Sequence, residues 1–157
     1  MRVYYSDMLK EDIDLLEYDH SIFLAGPTPR SSNVKGWRPD ALKILEDLKY
    51  DGLVFVPERS RDKPDYSDYL NQVEWEKWAL DSCKQIVFWI SRSIAHGMPG
   101  FTTNVEFGRY IDSKRIEYGR PPMADKCDYL DWLYKDVTGK EPCNSLYVTL
   151  KNAISLF

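Results

Sequence analysis

The chain has 157 residues, with 21 Lys and Arg against 25 Asp and Glu, a formal charge of -4 and a pI near 5.2. That balance offers no basic field for a phosphate backbone, so a nucleic-acid polymer is excluded as the expected partner, while a small nucleotide needs only one local site. At 43% apolar, 29% charged and 14% aromatic, with 5 Trp and 11 Tyr, the composition is that of a globular protein with surplus aromatics, long enough to bury a core as one domain over 1–157.

The opening stretch, "MRVYYSDMLKEDIDLLEYDH", carries acidic residues where a signal peptide needs an apolar centre. Nothing in the chain approaches the roughly 18 consecutive apolar residues of a membrane span, so the expectation is a cytoplasmic protein with no membrane contact. Within residues 1–20, "RVYY" suggests an edge strand and the rest an arm. Next come three short, continuously apolar runs, "SIFLAG" (21–26), "DGLVFVPE" (51–58) and "KQIVFWIS" (84–91). Runs of this form read as strands buried on both faces.

Between them lie two helical stretches. "GWRPDALKILEDLKY" (36–50) places Ala41, Ile44, Leu45 and Leu48 on one side, and "SDYLNQVEWEKWALDSC" (67–83) follows a turn-rich segment with Pro64. After the third strand, the loop "RSIAHGMPGF" leads to a helix opened by Thr103, then a strand "RIEYG" (115–119), then two helices across 124–157 with Gly139 and Pro142 between them. Strand and helix alternate, which implies right-handed crossovers and a mainly parallel sheet. The expected fold is α/β, a three-layer sandwich of about five strands flanked by helices. In such open sheets ligands sit outside the carboxyl ends of the strands.

The chain contains neither a P-loop nor a dinucleotide-binding fingerprint. His20 and His96 are isolated, and Cys83, Cys127 and Cys143 are odd in number and lack a C-x-x-C. That spacing argues against a disulfide framework and against zinc, and fits a reducing compartment; no cofactor or metal is expected. Carboxylates remain. Glu76 shares a helical stripe with Tyr69, Val73 and Leu80; an acid in an apolar stripe either pairs with an arginine at its edge or, buried, titrates high and becomes useful at a site. Thr103 to Glu106 reads T-x-x-E, a capping box with a purely structural use. The same Glu106 sits where the sheet's ligand would lie, near a helix N-terminus whose dipole favours the ionised carboxylate. Gly108 on that helix suggests a close approach, and the small polar groups of "AGPTPR" with Ser31 and Ser32 suit a sugar or phosphate.

In order along the chain, "FLAGPTPR", "GWRPDAL", "VFVPE", "QVEWEKWAL", "IVFWISR" and "PGFTTNVEFG" resemble the nucleoside 2-deoxyribosyltransferase-like superfamily, in particular a branch with a G-F-T-T-N-x-E-F-G segment. The resemblance covers residues 21–130. It implies a flavodoxin-like sheet, frequent homo-oligomers and a small-molecule nucleoside or nucleotide substrate. Glu106 corresponds to the glutamate that attacks C1' of a deoxyriboside, forming a covalent glycosyl-enzyme that a second base or water resolves. Glu76 corresponds to the second carboxylate, and Gly26, Pro27 and Thr28 to the sugar-binding turn. By the same resemblance Gln72, Thr103, Asn104 and Gly108 border the substrate, Trp89 flanks the base, and Arg30, Arg38 and Arg92 are candidates for a 5'-phosphate or for structural pairing. The expected activity is therefore deoxyribosyl transfer, with N-glycoside hydrolysis of 5'-monophosphates or silent nucleotide sensing as alternatives. This chain carries Gly100 where well-studied transferases have an aspartate.

Overall fold

The structure, a computed structural model, describes residues 1–31, 33–60 and 69–157. Ser32, the turn at Pro64 and the first two residues of the expected 67–83 helix lie outside these. The apolar runs form strands of one parallel sheet: β1 (Arg2–Tyr5), β2 (Ser21–Ala25), β3 (Leu53–Val56), β4 (Gln85–Trp89) and β5 (Ile116–Gly119), in the order β1-β3-β2-β4-β5. All residues of β2, β3, β4 and β5 are buried, as strands covered on both faces must be. Among the described residues five α-helices cover them: α1 (Arg38–Asp47), α2 (Tyr69–Ser82), α3 (Phe101–Tyr110), α4 (Asp128–Thr138) and α5 (Leu146–Ile154). Among the described residues no helix is long and apolar enough to cross a membrane.

The alternation of side chains along each strand decides which helix layer it meets. Ile22, Leu24, Val54, Val56, Val87 and Trp89 pack with Ala41, Leu45, Leu150 and Ala153 of α1 and α5. Phe23, Phe55, Ile86, Phe88, Ile116 and Tyr118 pack with Trp75, Ala79, Leu80, Phe107, Leu130 and Tyr134 of α2, α3 and α4. These are the two outer layers of a flavodoxin-like sandwich. Read from β2 onward, the winding is that of the flavodoxin type: β3 lies on one side of β2 and β4 on the other. The outermost strand is β1, paired with β3 from Arg2↔Leu53 to Tyr5↔Val56. Beyond β5 lies a parallel bridge, Gly119↔Cys143.

An aromatic row seats α3. Phe107 meets Phe88 and Tyr118 edge to face with ring centroids 5.1 Å apart, and Tyr118 meets Tyr134 at 5.4 Å, geometries that add to the burial itself. With Phe107 fixed against the sheet, the preceding residue, Glu106, is turned toward the carboxyl end of β2.

The order reverses between β2 and β4, so the chains leaving these strands diverge and open a crevice at their carboxyl ends. Gly26 makes that exit. Its φ is 152°, and a Cβ placed there would lie 2.3 Å from the Trp89 carbonyl oxygen and 2.9 Å from the Trp37 ring. Gly26→Ala is accordingly expected to cost about 3 kcal/mol, since strain and overpacking each contribute on the order of 1–3 kcal/mol. Urea denaturation measures this; unchanged stability would contradict the packing described.

Candidate active site

At the crevice lies a cavity of about 380 Å³. The β2 exit supplies Gly26, Pro27, Thr28 and Arg30 to its wall; α1 supplies Arg38, α2 supplies Gln72 and Glu76, and α3 supplies Thr103 and Glu106. Phe23 and Ala25 from the sheet complete the floor, and Phe101 stands at the rim, 67% exposed. Four separate segments thus converge on one space.

The stripe expected on α2 is corrected by the packing. Its core side is Trp75, Ala79 and Leu80, while Val73 is exposed; Glu76 sits beside that stripe, half-buried, and faces the cavity. Gln72 Nε2 donates to Glu76 Oε1 at 2.8 Å and to the Pro57 carbonyl at 3.2 Å. Among the described residues no arginine pairs with Glu76 directly. Burial pushes its carboxyl above the ordinary range, against the lowering effect of Gln72 and the Arg38 charge.

The capping box at Thr103 does not form. Helix α3 begins at Phe101, with Gly100 as N-cap in the left-handed conformation (φ 62°) and no side-chain cap; a Cβ on Gly100 would lie 2.8 Å from the Pro27 ring. Thr103 is therefore a buried residue of the first turn, and Glu106 lies one turn further on. That displacement matters electrostatically, because the helix-terminal field fades within the first turn. Burial, and then the neighbouring Glu76 charge, push the Glu106 carboxyl up to about 7, with Arg38 opposing, so the carboxylate that a helix terminus alone would keep ionised titrates near neutrality. Two acids facing one half-buried cavity resist ionising together.

The three arginines have different fates. Arg38 is 1% exposed and donates to the Leu24 carbonyl (3.0 Å), the Gly26 carbonyl (2.7 Å), Thr28 Oγ1 (3.0 Å) and Glu58 Oε1 (2.6 Å). Arg92 is also buried and is engaged by the Lys126 carbonyl at 2.8 Å and by Asn104 Oδ1. Arg30 is exposed at the mouth, its guanidinium 5.9 Å from the Phe101 ring centre.

The structure does not bring Arg92, Asn104, Trp89 or Gly108 to the cavity. Trp89 lies on the α1 and α5 side of the sheet within the core, because its register position in β4 points it there. Gly108 is on the exposed side of α3, where an added Cβ would meet nothing within 4 Å. Glu58, conversely, escaped notice in the sequence; its place at the carboxyl end of a buried strand was the signal. Among the described residues no group of three or more His, Cys, Asp or Glu could hold a metal ion.

Chemically, the cavity offers a carboxylate that ionises near neutrality, a second acid that can exchange a proton with a ligand, and hydroxyl and backbone groups suited to a sugar. A family model described as nucleoside 2-deoxyribosyltransferase-like matches residues 19–119, a span that runs from before β2 to the end of β5 and includes both carboxylates. A search of curated proteins finds none that matches the chain.

The raised Glu106 ionisation predicts a pH-dependent stability. A carboxyl whose folded-state value lies above its unfolded value stabilises the fold while protonated, and that contribution is lost as pH rises from about 4.5 to about 7. Glu106→Gln removes the loss: the variant is expected to match wild type near pH 4.5 and to exceed it at pH 8 by on the order of 2 kcal/mol. Urea melts at the two pH values test this, and an equal difference at both would refute it.

Proposed function

The chain belongs to the nucleoside 2-deoxyribosyltransferase-like family, and from that premise we propose that it cleaves the N-glycosidic bond of a 2'-deoxynucleoside or its 5'-monophosphate and passes the sugar to an acceptor. The observation that carries this reading is the meeting of Glu106 and Glu76, from two different helices, in one cavity at the sheet's switch point. Ordinary structural carboxylates at a protein surface are solvated or paired, whereas these two face each other in a half-buried space that raises both of their ionisations.

The reactive form is the tautomer in which the shared proton has passed from Glu106 to Glu76, the reverse of the resting preference that burial and the Glu76 charge impose on Glu106. A Glu106 carboxylate oxygen attacks C1', the C1'–N bond breaks with its electron pair leaving on the base, and Glu76 delivers its proton to that base. The transition state is oxocarbenium-like and the product is a glycosyl ester on Glu106. A second base then attacks C1', the ester oxygen leaves as carboxylate, and the incoming base returns its proton to Glu76. Water in place of that base yields the free sugar, the hydrolytic outcome.

Thr28 and Thr103 supply hydroxyls for the sugar, and Gln72 keeps Glu76 oriented. Arg38 is spent on the β2 exit and Glu58, and Arg92 on Asn104 and Lys126, so of these three arginines Arg30 is the one placed to meet a 5'-phosphate at the mouth. Self-association belongs to the same proposal, supported by Phe101, exposed at the rim of the cavity, and by the exposed Val105 on the same helix.

Incubation with deoxynucleosides and deoxynucleotides, with and without a free base, followed by chromatography, is expected to show base exchange or base release. Glu106→Gln should lower the rate at least about a thousandfold and Glu76→Gln about a hundredfold, with kcat/KM of the wild type rising with pH through about 7. Full activity in Glu106→Gln would sink the reading; tight nucleotide binding without any turnover would favour a sensor. Arg30→Ala is expected to raise KM for the monophosphate about tenfold while leaving the nucleoside unaffected, an effect of one lost charged contact. Equal changes for both substrates would remove Arg30 from the phosphate.

A further inference from the structure

Among the described residues Arg38 is the largest fully buried side chain, yet its four hydrogen bonds use only one carboxylate, Glu58. Glu58 is itself partly open to solvent, with its side chain 26% exposed. The other two acids that sense the guanidinium charge, Glu76 and Glu106, line the cavity with it but form no ion pair with it. A buried guanidinium whose work was only to tie the β2 exit to the end of β3 would need one countercharge. Here three carboxylates draw on one cation.

We propose that Arg38 is a positioning residue whose charge is divided between Glu58, which it touches, and the Glu76–Glu106 pair, which it faces, so that Glu58 governs how much negative charge the pair can hold. The bonds to the Leu24 and Gly26 carbonyls fix the guanidinium in place, so it cannot swing toward either partner, and the division is set by charge and distance alone. Among the described residues the groups facing Glu106 are few. Arg38 comes from α1, Glu76 from α2 and Arg30 from the loop after β2, while Glu58 after β3 acts through Arg38. The first turn of α3 itself carries no acid, and Arg109 in its last turn lies over Tyr110.

The sign of each effect follows from Coulomb's law. Neutralising Glu58 leaves the Arg38 charge less compensated, which favours ionised Glu106. Removing Arg38 does the reverse. A purely structural role predicts a fall in both variants, because loosening the site admits water and lets both acids move toward their ordinary range, so the rise on removing Arg38 is the result that separates the two.

The inference rests on the proposed reading only for its consequence in turnover, and the test is made without substrate. Glutamate side chains labelled with carbon-13 are titrated by NMR in the full-length protein, with Glu76 and Glu106 assigned through their Gln variants. Glu58→Gln is expected to lower the Glu106 midpoint by roughly half a pH unit, and Arg38→Met to raise it by about one. If Arg38→Met does not fold, Arg38→Lys takes its place: it breaks the geometry but keeps the charge, and the midpoint should stay within about half a unit of wild type. An unmoved or raised midpoint in Glu58→Gln overturns the proposal, as does a lowered one in folded Arg38→Met or a larger shift in Arg38→Lys. In active protein the acid limb of kcat/KM should follow the same shifts with KM nearly constant. Should the titrations move while that limb stays, the nucleophile assignment fails and the role of Arg38 stands.

Discussion

The buried guanidinium of Arg38 is the interaction on which the rest of the site depends. Removing such a charge from water costs several kcal/mol, which is offset only by good hydrogen-bond geometry and a countercharge. Arg38 obtains these from two backbone carbonyls at the end of β2, from Thr28 and from Glu58. The consequence is geometric: the exit of β2, the end of β3 and the first turn of α1 are held as one unit. The indole of Trp37 closes the arrangement, donating to the Pro27 carbonyl at 3.1 Å while its ring lies 4.8 Å from the Arg38 guanidinium carbon. A crevice that a parallel sheet opens at its switch point is thereby given a rigid wall.

Against that wall stand the two acids. Glu76 is held by Gln72, which is anchored in turn on the Pro57 carbonyl, and Glu106 is aimed by the neighbouring Phe107, fixed in the aromatic row beneath it. Neither acid is placed by its own hydrogen bonds to the backbone, so both remain free to change protonation during a reaction. Mutual repulsion and burial work in one direction and Arg38 in the other. The balance leaves Glu106 titrating near neutrality, where a small change in its surroundings alters its charge.

Much of this was legible in the sequence because the signals were local. Continuous apolar runs such as "SIFLAG" and "KQIVFWIS" can only be satisfied as strands covered on both sides, and the alternation with helices leaves little choice of topology. Glu76 was conspicuous as an acid beside apolar positions. What failed was whatever depends on a residue's partner across the fold. T-x-x-E looked like a helix start, but Gly100, with its left-handed backbone packed against Pro27, moves the start of α3 to Phe101. Trp89 offered an aromatic ring near a strand end, and only its register position in β4, paired with Gly119, shows that the ring belongs to the core. The division of labour among Arg30, Arg38 and Arg92 was equally invisible, since a charged residue in a sequence carries no mark of whether it will be spent on backbone carbonyls or left at a mouth.

The central claim is that the Glu106 carboxylate forms a bond to C1'. Fluorine at the sugar's 2' position withdraws electrons from an oxocarbenium-like transition state and slows both formation and breakdown of a glycosyl ester, so a 2'-fluoro deoxynucleoside should allow the ester to accumulate. Mass spectrometry of the treated protein, followed by peptide mapping, is the direct measurement. The account predicts one added fluorosugar, located on Glu106 and absent in Glu106→Gln. Turnover of the natural substrate with no adduct, or an adduct on any other residue, would contradict it.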